Sequence, residues 1–177
     1  MFINNTRKRV SYLKELLDPD LIHFAEKLQL PEIVVDTKDM PWVPFDEKTC
    51  HFKPVRFDFT TGTWTYLFKI KPNQVLTRHR HTGGNVIGFN LKGQWRYAER
   101  DWIAKPGTFI FEPPGDIHTL ITEDEEVITL FTLGGSLQYF DEENQIVGQD
   151  DIFSVYKKYC DFYLKYGLTM NSNLLGK

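Results

Sequence analysis

The chain has 177 residues, 41% of them apolar and 15% aromatic, and its 21 Lys plus Arg against 24 Asp plus Glu leave a formal charge of −3. That apolar and aromatic content excludes a disordered chain and suits one domain with its own core. The slightly acidic balance supplies no basic surplus for a phosphate backbone, so nucleic acid is not an expected partner.

The stretch MFINNTRKRVSYLKELL carries no apolar run of roughly 7–15 residues before a small-residue cleavage site, and no segment reaches the ~18 apolar residues of a membrane span. A cytoplasmic protein without a membrane partner is expected. Cys50 and Cys160 are too few for a disulfide framework or a thiolate zinc cluster and are read as reduced.

From Ser11 to Leu30, apolar residues recur at spacings of three and four, the helical period. Asp18-Pro19 interrupts that run as a cap with a first-turn proline, which predicts two short helices. Pro31 ends the second. Residues 1–40 are thus a helical amino-terminal arm, followed by a linker around Pro41-Trp42-Val43-Pro44 that packs its tryptophan. From about Val55 to Tyr139, short alternating segments are separated by glycine and proline, the pattern of an all-β sandwich or barrel. Trp64, Tyr66, Phe68 and Ile70 share one face, and further strands are predicted at Asn85–Leu91, Gln94–Arg100, Thr108–Phe111, His118–Thr122 and Val127–Leu133. The run Glu123 to Glu126 reads as a solvated turn. Residues 41–149 form the barrel. After Asp150 the helical period returns, with Ile152, Val155, Tyr156, Tyr159, Tyr163 and Tyr166 in a stripe and Gly167 as the stop. Residues 150–177 are expected to pack on the same domain or on a second subunit.

Three of the five histidines fall in the β-region. His79 and His81 are two apart on a strand and point to the same face. The inward face is preferred, because a metal can hold two neutral imidazoles there, whereas burying Arg78 and Arg80 would demand costly pairing. His118 follows Gly107-x5-Pro113-x-Gly115 and starts a neighbouring strand. Three imidazoles with open positions left over form a catalytic rather than a closed structural metal site. His23 and His51 have no convergent partners and are read as structural or exposed. Neither cysteine has an adjacent base, and no side-chain nucleophile, phosphate-cradling loop or paired-thiol motif is visible.

Those histidine motifs resemble the cupin superfamily. Gly107, Pro113, Gly115 and His118 match its second motif, and His79, His81 and Gly93 match its first. That first motif departs in having Asn73 where a leading glycine is common and Asn85 and Val86 where a glutamate ligand often stands. RHRHTGG, LKGQWRYAERDW, PGTFIFEPPGDIHTL and YKKYCDFYLKYGL are similar to cupins related to 2,4'-dihydroxyacetophenone dioxygenase. The fold implied is a cupin jelly-roll barrel, or double-stranded β-helix, with flanking amino-terminal helices and a carboxy-terminal helix. The activity implied is oxygen-dependent cleavage of a carbon–carbon bond beside a carbonyl by non-haem iron. Imidazole ligands suit Fe(II), Zn, Ni and Cu alike, so the preference for one Fe(II) per chain rests on the resemblance.

Glu99 is the expected fourth ligand. If Lys92-Gly93 closes a two-residue hairpin, Val86 faces Glu99, and directly opposed residues project to the same face. Trp95, Tyr97 and Glu99 then turn inward together. Glu112, opposite in parity to Phe111, is assigned to a structural ion pair. The metal set is therefore His79, His81, Glu99 and His118, with no catalytic residue separate from it. Tyr97, Phe89, Trp64 and Phe111 are the expected substrate contacts, within a wider lumen group that includes Tyr66 and Phe109. The reading is a dioxygenase acting on a small hydroxy-ketone or diketone with O2, in a homodimer or higher homo-oligomer. The alternative is a non-catalytic metal-binding cupin that senses or binds a small ligand.

Overall fold

The structure is a computed structural model that describes residues 32–46 and 48–176. The two helices expected between Ser11 and Leu30 lie outside the described residues. Residues 33–176 form one compact unit. Its strands are β1 (Val43–Pro44), β2 (Cys50–Asp58), β3 (Thr63–Ile70), β4 (His79–Thr82), β5 (Val86–Lys92), β6 (Trp95–Tyr97), β7 (Phe109–Glu112), β8 (Ile117–His118), β9 (Leu120–Thr122), β10 (Val127–Gly134), β11 (Ser136–Phe140) and β12 (Ile146–Asp151). All pairings are antiparallel. They give a six-stranded sheet in the order β1-β2-β3-β10-β5-β7, a four-stranded sheet in the order β12-β11-β4-β8, and the pair β6-β9. The all-β expectation holds, and its alternation is clearest in β3, where Trp64, Tyr66, Phe68 and Ile70 are buried and the residues between them are half-buried.

Two glycines mark where the chain leaves one sheet for another. Gly93 has φ +68°, and a Cβ there would stand 2.5 Å from the Glu126 carbonyl oxygen. Gly135 has φ +76°, and its Cβ would meet the Thr82 carbonyl oxygen at 2.0 Å. Only glycine combines that backbone with that proximity. Lys92-Gly93 is consequently no hairpin turn. β5 pairs with β10 and β7, whereas β6 pairs with β9.

That difference corrects the facing of several aromatics. β5 buries Val86, Gly88 and Asn90, and β7 buries Ile110 and Glu112. Phe89 and Phe111 therefore project outward, 42% and 59% exposed, with Phe109 beside them. The run Phe109-Ile110-Phe111 is apolar on both faces, so period-two reasoning had no polar residue within it to mark the outside. Trp64 does face inward but sits in the core away from the cavity described below.

Helix α1 (Ile152–Lys165) begins at a capping box. The Asp151 carboxylate accepts from the Phe153 and Ser154 amides at 3.0 and 2.9 Å, and the Asp151 amide donates to Ser154 Oγ at 2.9 Å. Such caps stabilise a helix by about 1 kcal/mol. The helix buries Ile152, Val155, Tyr159 and Tyr163 and packs against β1, β2 and β12. Tyr166, assigned to the same stripe, is exposed. No helix among the described residues is long and apolar enough to cross a membrane.

Candidate metal centre

Strand register assembles the histidines. In the β4–β8 pair, His79 stands directly opposite His118, and His81 follows two residues along β4 on the same face. The loop preceding His118 is pinned to the same strand, because the Gly115 amide donates to the His81 carbonyl at 2.7 Å. All three imidazoles are buried, and one ring nitrogen from each lies within 4.8 Å of the others. Tyr97 stacks on His118 with ring centroids 3.7 Å apart and planes 9° from parallel.

The expected fourth ligand is not in this group. Glu99 follows the end of β6, is exposed, and accepts from the Thr119 amide at 2.9 Å. The residue actually facing Val86 is Glu112. Glu112 Oε2 lies 3.5 Å from His81 Nε2 and 3.5 Å from His118 Nε2, and its Oε1 accepts from the Tyr97 hydroxyl at 2.5 Å. The sequence signal for it was its position just before Pro113 inside the second histidine motif.

Protonation fits cation binding. Burial, followed by the influence of neighbouring imidazoles, holds His81 down to about 2 and His118 to about 4, and burial also lowers His79. Neutral rings have lone pairs to give. Burial pushes the Glu112 carboxyl up to about 7, so its approach to the histidines is not an ion pair. Glu112 Oε2 and both ring nitrogens of His118 are buried without hydrogen bonds. Unpaired buried polar atoms are costly. A divalent cation among them would satisfy Glu112 Oε2 and one imidazole nitrogen at once, and would draw the carboxyl back to its anionic form. The donor set thus fits a metal.

Groups outside the ligand atoms orient the rings. His79 Nδ1 is 2.9 Å from the Thr77 carbonyl, which requires the proton on Nδ1 and leaves Nε2 to ligate. His118 Nδ1 lies 3.7 Å from an Asp116 carboxylate that Arg100 holds.

His79, His81, Tyr97 and Glu112 open onto a cavity of about 370 Å³. Its walls are mostly apolar and aromatic, including Tyr66, Phe68 and Phe131. Of the four expected substrate contacts, Tyr97 lines the cavity, whereas Phe89, Phe111 and Trp64 do not. Cys50 also lines it, with burial pushing its thiol up to about 12, well away from a reactive thiolate.

The fold recurs in solved structures. An RmlC-like cupin protein from Ralstonia eutropha JMP134 superposes with a TM-score of 0.77 at 26% identity, covering 86% of this chain and 98% of that one. A cupin-fold protein of unknown function from the same organism gives 0.72 at 22% identity, with 78% and 89% coverage. The acetylacetone dioxygenase of Acinetobacter johnsonii gives 0.68 at 19% identity, covering 75% of this chain and 94% of that one. No curated protein matches the sequence. The family described as the ChrR cupin-like domain matches residues 30–138. An antiparallel β fold that converges three strand-borne histidines on one point accords with that match, and the chain belongs to the ChrR cupin-like family of the cupin superfamily.

Proposed function

We propose that the protein is a mononuclear non-haem iron dioxygenase that cleaves the carbon–carbon bond beside the carbonyl of a small hydroxy-ketone or diketone. The observation that carries this reading is the convergence of His79, His81, His118 and Glu112 Oε2 beside an apolar cavity, large enough for a small organic molecule, onto which His79, His81 and Glu112 open. The structural likeness to the Acinetobacter johnsonii acetylacetone dioxygenase supports the same reaction class.

Bound Fe(II) would supply open coordination positions for a carbonyl ligand and redox chemistry with dioxygen. The chain does the rest. His79 is locked by Thr77 in the tautomer that leaves Nε2 free. Tyr97 donates to Glu112 Oε1 and leaves Oε2 facing the imidazoles, where it would help hold the metal. The apolar and aromatic walls keep the space beside it poor in water. For a hydroxy-ketone R–CO–CH2OH, both atoms of O2 enter the products, RCOOH and HCOOH, with no external reductant.

The test is oxygen uptake by anaerobically iron-loaded protein offered α-hydroxy-ketones and β-diketones. Uptake matched mole for mole by product formation is expected. No uptake from either class at verified iron occupancy would overturn the enzymatic reading in favour of a metal-dependent sensor or binding module.

A further inference from the structure

A second polar group lines the same cavity. The inner face of the four-stranded sheet is laid out in rows. One runs His118, His79, Tyr139, Gly148, and the next runs His81, Leu137, Asp150. Asp150 therefore stands two strands from His81, roughly 10 Å across the sheet. Its carboxylate is 7% exposed and accepts from Tyr139 Oη at 2.9 Å, Ser154 Oγ at 2.7 Å and Lys158 Nζ at 2.7 Å. Tyr139 and Asp150 both face the cavity, and Lys158 holds the carboxylate's other oxygen.

From the six-stranded sheet, Tyr66 lines the same cavity and is 4% exposed. Its O–H proton has no acceptor among the described residues. The nearby Trp64 indole N–H is a donor toward the Tyr66 oxygen and leaves the Tyr66 proton available to a ligand. Burial and the Asp150 carboxylate both raise Tyr66, and the same two influences raise Tyr139, so both phenols stay protonated.

We propose that Tyr66, Tyr139 and Asp150 form a recognition subsite for a neutral hydroxyl group on the ligand, with Tyr139 one strand from His79 and Asp150 two strands from His81. Tyr66 donates to that hydroxyl. Tyr139, its own proton committed to Asp150, accepts from it through the phenolic oxygen. A hydroxyl is the simplest group that meets both demands at once. An ether accepts but cannot donate, and a carboxylate can only accept and faces the charge of Asp150. The subsite rests on the reading of the cavity as a small-molecule site, but it does not require turnover.

The test is ligand-observed fluorine NMR on the zinc-loaded full chain with 4-fluorophenol, 4-fluoroanisole and 4-fluorobenzoate as probes. Wild type is expected to bind 4-fluorophenol most tightly and 4-fluorobenzoate least. Tyr66→Phe and Tyr139→Phe should each weaken 4-fluorophenol about five- to tenfold, the scale of one neutral hydrogen bond; Tyr139→Phe should leave 4-fluoroanisole unchanged, whereas Tyr66→Phe, which removes the one bond an ether accepts, should weaken it too. Unchanged zinc content and thermal midpoint in the variants establish that the fold and metal centre persist. Equal binding of the three probes, no binding of 4-fluorophenol, or its undiminished binding by both variants would overturn the subsite. Because binding is read, loss of the oxygenase reading through absent oxygen uptake leaves this result separate.

Discussion

Around the histidines, Glu112 Oε2 and both ring nitrogens of His118 are buried without hydrogen bonds, whereas two strands away the Asp150 carboxylate accepts from Tyr139, Ser154 and Lys158. Both groups border one cavity on one sheet. The first brings imidazole lone pairs and Glu112 Oε2 together at a point, an arrangement that a cation would satisfy. The second carries its own cation and donors and is complete without one. Buried polarity left unpaired by the protein therefore marks the candidate metal site more sharply than the number of ligand-type residues does.

Breaking the unpaired end should have the largest effect. His81→Ala is expected to abolish stoichiometric metal binding while the barrel persists, because β4 keeps its backbone pairing with β11 and β8. Metal analysis beside circular dichroism checks this, and full metal content in the variant would refute the assignment. Glu112→Gln keeps the shape and removes the charge. It should weaken metal affinity by roughly 10–100-fold, the range seen when a supporting group is lost, as measured by competition with a chelator.

Acid should separate the two ends next. In the metal-free protein, the imidazole pKa values are depressed, to about 4 for His118 and about 2 for His81. As pH falls below about 6.5, unfolded imidazoles take up protons that the folded ones refuse, and stability drops. Glu112 acts in the opposite sense: raised to about 7, it costs stability as pH rises from its unfolded value toward that point. Three imidazoles outweigh one carboxyl, so the thermal midpoint should fall between pH 6.5 and 5, and fall less in His81→Ala. An equal slope in both proteins would show that His81 does not titrate in this way.

The smallest effects are expected outside the cluster. Glu99→Gln and Phe111→Ser should leave metal content unchanged, since Glu99 bonds to the Thr119 amide and Phe111 lies on the outer face. Loss of metal in Glu99→Gln would reinstate that residue as a ligand.

What the sequence disclosed divides along the same line. Period-two spacing put His79 and His81 on one face, and the glycine and proline punctuation before His118 brought a third imidazole beside them. The first inference depended on local geometry alone, and the second is completed by the β4–β8 register. Glu99 failed because it depended on pairing: Lys92-Gly93 has the composition of a hairpin turn, yet Gly93 is needed for close passage by Glu126 between sheets. Glu112 was passed over because Phe111, next to it and of opposite parity, was assigned to the inside. Tyr139 and Asp150 lie on strands whose register slips at Tyr139/Phe140, which blurs alternation, and their meeting with Tyr66 is a product of tertiary packing.

The most direct test is an anomalous difference map from crystals of the zinc-loaded protein. One strong peak is expected, bounded by ring nitrogens of His79, His81 and His118 at about 2.0–2.1 Å, with Glu112 Oε2 turned toward it. A peak elsewhere, or one bound by Glu99 in place of Glu112, would contradict the assignment.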